Sequence, residues 1–499
     1  MKNILISIKM LAVVLLLASC SDSYLDVNTD PNNPTTVSPD LILPVAMNYT
    51  AYTQQRNRGY NTLGNMLMYN WSQSDGFSWY DEEFQYSVTP SFYAQNFDYT
   101  FSRALKQYQV LSTLEGPEMG YYVALGEIMK AYHFSIMVDQ YGDIPYSEAL
   151  QRGSNPTPKY DDAQVISEDL IVKLSAAIAL INSTSSNADI VPLVPGADDG
   201  LFNGDMDMWK KFANSVKLRI LVRQSDMSGR DGYIQTELAK TAADGFMGSD
   251  IGINIGYNLG ENQMSPFWAA FGTDATGAST TNNFEATCAT PFVLNHLMTT
   301  NDPRIDFIYE IPASGFGHLG VDQGIADYDF PVLDQFDPVN VSNIGPGIRK
   351  SASQDAILMT AGEIHFNLAE ASMKGLIGGS PQGHYEAGIQ ASFTTLGTGS
   401  ASSYYSQNIN LVGWVASLDK MEAIITQKWI ALNGINALQS WFDYNRTGFP
   451  LNLPISERGV TSTGDRPVRL FYPSSELTTN GINLPAQPNA FTDKIFWAN

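Results

Sequence analysis

Cysteine is almost missing from this sequence, with only Cys20 and Cys288 among 499 residues. That excludes a disulfide framework and an all-cysteine metal site, so stability has to come from packing. Positive charge is scarce as well: 28 Lys and Arg stand against 51 Asp and Glu, a formal net charge of −23. No Lys/Arg cluster interrupts that balance. Nucleic acid is thereby excluded as a partner, because such binding draws its affinity from phosphate neutralisation. The five histidines are His133, His296, His318, His365 and His384. None lies four residues from another, no HExxH occurs, and Glu363 and His365 fall on different sides of a predicted helix. Metal catalysis has no support, and neither a metal nor a cofactor is expected. A GxSxG elbow is also missing, and nothing around Cys288 marks a nucleophile. Uninterrupted apolar sequence is confined to Met10–Ala18, too short for the ~20 residues that span a bilayer.

That one apolar run carries information by its position. Lys2 and Lys9 precede it, and Leu17-Ala18-Ser19-Cys20 closes it. A basic start, an apolar core and small residues before cysteine have the order of an export signal, and the last four residues resemble a bacterial lipobox. The expectation is a lipoprotein signal peptide over 1–19 and an acylated Cys20 that holds the mature chain on a membrane. Residues 20–38, rich in Asp, Asn and Pro, read as a polar tether. Asp26-Val27-Asn28-Thr29-Asp30 mimics the start of a calcium loop, but Pro31 and Val37 stand where Gly and Glu are required.

Helical signals dominate the chain beyond the tether. Thr89-Pro90 opens a predicted helix to Leu114, Pro117 opens another that stops at Gly142, and Asp161 or Asp162 caps a third. Further helices are predicted over 206–226, from Thr360 with Glu363 in capping-box spacing to Gly375, and over about 419–433. In the 363–371 stretch Glu363, Asn367 and Glu370 share one face, read first as solvated and second as meeting a partner. Strand signals are few: alternation over 251–259, and weaker runs at 307–311 and 468–472. Long Gly/Asn/Ser/Thr-rich stretches at 260–287 and 312–347 are of a length that usually carries function. With no clean linker, the fold class is mainly α: one α-rich domain with long irregular loops and few short strands.

Within 312–347, Gly315, Gly317 and Gly320 match the dinucleotide fingerprint formally. No strand precedes them and no helical pattern succeeds them, so they read as loop. Paired carboxylates for a glycoside hydrolase cannot be picked from 51 acidic residues, since their separation decides the chemistry. Aromatics among polar residues are the clearest remaining signal. Residues 71–86 carry Trp79 and Tyr80 among Asp, Glu, Ser and Gln, and the second loop carries Trp268, Phe271, Asn282 and Asn283. A flat ring meets the C–H face of a sugar or an apolar side chain, and amides bond hydroxyls. These six are the candidate ligand-binding residues.

Taken in order, the lipobox with YLDVNTDPNNP, DQYGDIPYSEAL (139–150), MTAGEIHFNLAEA (359–371), TQKWIALNG (426–434), WFDYNRTGFP (441–450) and RPVRLFYPSSE (466–476) resemble the SusD/RagB group. The resemblance implies tetratricopeptide-like helical pairs over 39–499 and a lipid anchor on the outer face of the outer membrane. It also implies a nutrient-binding role without catalysis, beside a SusC-like TonB-dependent transporter. The ligand implied is an oligosaccharide, in some members a peptide. The acidic surface disfavours polyanionic glycans, which leaves a neutral oligosaccharide first and an oligopeptide second. A surface glycoside hydrolase and a purely adhesive lipoprotein remain open as other classes.

Overall fold

The computed structural model describes residues 37–315, 317–325 and 334–498. The expected leader, Cys20 and the tether up to residue 36 lie outside these. Twelve helices carry the argument: α1 (Pro39–Gln55), α2 (Tyr60–Leu67), α3 (Lys106–Ser112), α4 (Gly120–Tyr141), α5 (Ala163–Ser186), α6 (Met206–Arg223), α7 (Pro266–Phe271), α8 (Asn282–Ala286), α9 (Ala361–Met373), α10 (Pro381–Leu396), α11 (Lys420–Leu432) and α12 (Ala437–Thr447). Consecutive helices pack as pairs, α4 on α5, α5 on α6 and α9 on α10, with α11 and α12 closing against α9 and α2.

Local chemistry sets their ends. Asp162 accepts from Val165 N–H at 3.0 Å, Asp419 from Met421 N–H at 2.8 Å, and Thr360 Oγ1 from Glu363 N–H at 3.0 Å. Gly142, at φ +73°, stops α4 where a side chain would be strained. The predicted 90–114 helix is broken into Ala94–Tyr99, a π-helical turn Thr100–Leu105, and α3.

Sheet is limited, among the described residues, to three antiparallel pairs: β1 (Trp71–Gln73) with β5 (Thr287–Ala289), β2 (Ile144–Pro145) with β3 (Tyr160–Asp161), and β4 (Ile251–Ile253) with β6 (Ala356–Met359). The expected 251–259 strand ends at Ile253 because Asn254 Oδ1 accepts from Gly256 and Tyr257 N–H, and Gly256 sits at φ +95°. Residues 305–308 form a helical turn instead of a strand, leaving only a Tyr309–Ile344 bridge. Residues 468–470 bend and join no ladder, their N–H groups bonding Ala490 and Gln140 carbonyls.

One expectation is reversed. Glu363, Asn367 and Glu370 are buried, not solvated. Glu363 takes Arg219 in two bonds of 2.6 and 2.8 Å, Asn367 accepts from Lys428 at 2.7 Å, and Glu370 takes Arg446 at 2.6 and 2.8 Å. Asp443 meets Arg223 at 2.6 Å and Lys428 at 2.7 Å. A helix face reads as solvated from its charges alone, because sequence does not reveal that α6, α11 and α12 aim cations back at it. Burial by itself would raise the Glu370 carboxyl, but Arg446 and then Lys374 hold it down at about 2.

Close backbone approach is needed where α2 meets α12. A Cβ on Gly64 would sit 2.0 Å from Leu438 N and 2.2 Å from Ala437 C. Neither atom is a flexible side-chain end, so Gly64→Ala is expected to cost more than about 1 kcal/mol, the lower range for overpacking, read as a fall in the urea midpoint.

Candidate ligand-binding site

The two loop regions singled out by their aromatics are joined by the β1–β5 ladder, in the register Trp71↔Ala289, Ser72↔Cys288 and Gln73↔Thr287. Ser74 extends it, its N–H donating to Ala286 O and its Oγ to Glu285 O. The chain then turns at Gly76, φ +84°. Gln73 staples that turn: Oε1 accepts from Trp79 N–H at 2.7 Å and Tyr80 N–H at 3.3 Å, and Nε2 donates to Phe77 O at 2.5 Å. The tip thereby presents Phe77 and Trp79, half-buried and edge to face at 5.4 Å. Arg58 donates to Trp79 O at 2.9 Å.

Across the ladder, Thr281 caps α8, and Asn283 Oδ1 accepts from Asn57 Nδ2 at 2.9 Å. Asn282 is exposed beside it. On α7, Trp268 is half-buried, its indole N–H on Thr273 Oγ1 at 3.2 Å. Tyr80 and Phe271 have a different role. They are 1% and 0% exposed, so no ring face is left for a ligand. Tyr80 bonds Thr287 Oγ1 at 2.8 Å, and Phe271 packs edge-on to Trp71 at 5.3 Å. Both are core residues of the joint. Sequence could not separate them from their exposed neighbours, because irregular segments have no period from which an inward side is read.

Sequence reasoning missed a cleft of about 440 Å³ beside α8, with Phe284, Glu285, Glu310, Asp337, Val339 and Asn343 in its walls. Asn343 fixes the wall by donating to Phe284 O and Thr287 O, each at 3.0 Å. The Arg349 guanidinium lies 4.0 Å from the Phe284 ring centre and 5.7 Å from that of Trp268, and bonds Glu310 at 2.7 Å. The only signal for this cleft was the length of the 312–347 loop; Arg349 lies beyond it without a motif.

Two arrangements suggest chemistry and are explained by packing. His318 joins Ser342 Oγ and Asp306 Oδ1, each at 2.9 Å, the composition of a nucleophilic triad. Ser342 is wholly buried and its Oγ accepts Leu319 N–H at 3.2 Å, so substrate cannot reach it. The trio latches two loops together, and Gly315, Gly317 and Gly320 lie outside helix and strand. Cys288 is buried in β5, and burial pushes its thiol up, away from the thiolate that a nucleophile needs. Among the described residues, no three His, Cys, Asp or Glu side chains converge on a metal position.

Paired helices carrying a stapled aromatic loop and a cleft with polar walls are the architecture of a helical ligand-binding protein. The SusD-like family, described as starch-binding and associating with the outer membrane, matches residues 31–473, and the chain belongs to it. That family consists of nutrient- and glycan-binding proteins. No protein of curated function matches. Among solved structures, a chitin-binding protein covers 93% of this chain over 100% of its own, at 22% identity and TM-score 0.74. A SusD homologue from Bacteroides uniformis covers 92% over 99% of its own, at 22% and 0.73. A chitin-binding SusD homologue from Flavobacterium johnsoniae covers 92% over 97%, at 21% and 0.73. At such identity these relatives establish the fold. No described helix is long and apolar enough to cross a membrane.

Proposed function

We propose that the mature chain is a lipoprotein anchored through Cys20, facing the cell exterior. It captures a neutral oligosaccharide and delivers it to a SusC-like TonB-dependent outer-membrane transporter without making or breaking a bond. Residues 1–19 are the signal peptide, 20–38 the tether and 39–499 the binding domain. The observation that carries the reading is the stapled pair Phe77 and Trp79, held by the β1–β5 ladder to the segment bearing Asn282 and Asn283. Rings stack on the C–H face of a pyranose while amides bond its hydroxyls. Chitin binding among the structural relatives makes N-acetylglucosamine oligomers the first probes. A peptide ligand is the second reading, favoured by the carboxylates Glu285, Glu310 and Asp337 in the cleft.

Calorimetric titration of residues 21–499 against neutral oligosaccharides and basic peptides tests this, with each mixture checked afterwards for cleavage. Binding with intact ligand is expected, and hydrolysis would overturn the reading. Trp79→Ala or Trp268→Ala is expected to weaken binding at least about tenfold, the equivalent of 1.4 kcal/mol, with little change in melting temperature. Full affinity in both variants would remove these residues from the site.

A further inference from the structure

The outer face of α1 departs from what a solvated helix shows. Leu41, Val45, Asn48 and Tyr52 form one stripe at helical spacing, and the three non-amide members are 61%, 44% and 40% exposed. A stripe turned to water is ordinarily polar. A second observation lies beside it. Arg56 sits 5.4 and 5.2 Å from the ring centres of Tyr52 and Tyr99, and Arg103 sits 4.2 Å from Tyr99 and 5.5 Å from Tyr49. Arg56 is pinned further by Gln95 Oε1 and Asn96 Oδ1, each at 3.0 Å. In a chain of net charge −23, this face combines aliphatic, tyrosine and arginine side chains, and its helix holds a single acidic residue, Asp40.

We propose that the α1 face, with Leu41, Val45, Tyr52, Arg56 and Arg103, is the surface that docks the transporter. It would be met by apolar side chains and carboxylates on the barrel's outward loops. The assignment rests on the transporter reading above and names the face that reading leaves open. Aromatic and arginine anchors with few lysines and carboxylates are the composition of an interface centre. The tyrosine–arginine stack is already ordered, so docking loses little side-chain freedom. Position agrees: with Cys20 acylated, the chain before α1 spans at most about 60 Å at ~3.5 Å per residue, and α1 is the first described helix after the anchor. A fluid anionic lipid surface fits less well, because the acidic remainder of the chain is repelled by it.

The test co-expresses the lipidated full chain with a SusC-like barrel from the same cell, as wild type and as Leu41→Asp/Val45→Asp/Arg103→Glu. Detergent-solubilised complexes are measured by size-exclusion and by dissociation rate, and the oligosaccharide affinity of each chain is titrated separately. At least tenfold weaker assembly with unchanged oligosaccharide affinity is expected. A variant that assembles like wild type overturns the docking face while leaving the transporter reading intact. Failure of the wild type to assemble overturns both. Binding of the wild type to phosphatidylglycerol vesicles, lost in the variant while assembly persists, overturns the proposal in favour of lipid. Leu41→Ala/Val45→Ala, which introduces no charge, separates loss of contact from misfolding.

Discussion

Arg446→Met is expected to lower unfolding free energy by about 3–5 kcal/mol, the cost of breaking a buried pair and leaving its partner charged. Arg446 is fully buried at its side chain and serves three carboxylates: Glu370 at 2.6 Å, Asp226 at 2.5 Å and Asp443 at 3.4 Å. Asp443 keeps Arg223 and Lys428 after the substitution. Glu370 keeps only Lys374 at 3.0 Å and a 3.0 Å bond from Ser225. Its carboxylate, held at about 2 in the native protein, then rises toward protonation because burial dominates. The double variant Arg446→Met/Glu370→Met removes both charges and is expected to recover much of the loss, since apolar replacements of buried pairs are often neutral. Urea melts of the two singles and the double give the coupling directly. Equal losses from the singles that simply add would refute the pairing account.

The second large effect is in acid. His133 is buried on α4, its Nε2 on Thr50 Oγ1 at 2.8 Å, and burial lowers it to about 3. Between pH 6.5 and 3 the unfolded chain takes up a proton that the folded chain refuses. The stability this histidine permits is therefore complete above pH 6.5 and declines as pH falls toward 3. At 1.36 kcal/mol per unit, wild type is expected to lose about 2–3 kcal/mol more than His133→Gln between pH 7 and 4.5. The difference between variants isolates the histidine. That matters because burial raises Asp139 to about 6, and that carboxyl regains stability as pH falls through the same range. Parallel stability profiles for the two proteins would show that His133 takes its proton in the folded state.

The ends of helices were legible because each is decided within four residues, as at Thr360 with Glu363 or at Gly142. The 251–259 strand was overread for the complementary reason: alternation promised a partner, while Asn254 and Gly256 turned the chain locally. Four of the described segments that resemble the family supply buried charges. Asp139, Glu370, Lys428 and Arg446 come from these four and belong to one buried charge network with Asp443, Arg223 and Asp226. Of the six site residues, Trp79, Trp268, Asn282 and Asn283 reach water at least in part, while Tyr80 and Phe271 do not. Asn57, Arg58 and Arg349 were invisible, since they enter through contacts between segments far apart in sequence.

The lone thiol gives the site a gauge of its own. Cys288 lies in the middle of the ladder that fastens the aromatic loop to α8, opposite Ser72, and is closed to water. A chain from residue 21 onward carries no other cysteine. A maleimide can therefore label it only when that ladder parts, and the labelling rate reports how often the two halves of the site separate. Ligand that clasps both halves should slow the clock; ligand bound elsewhere should leave it running.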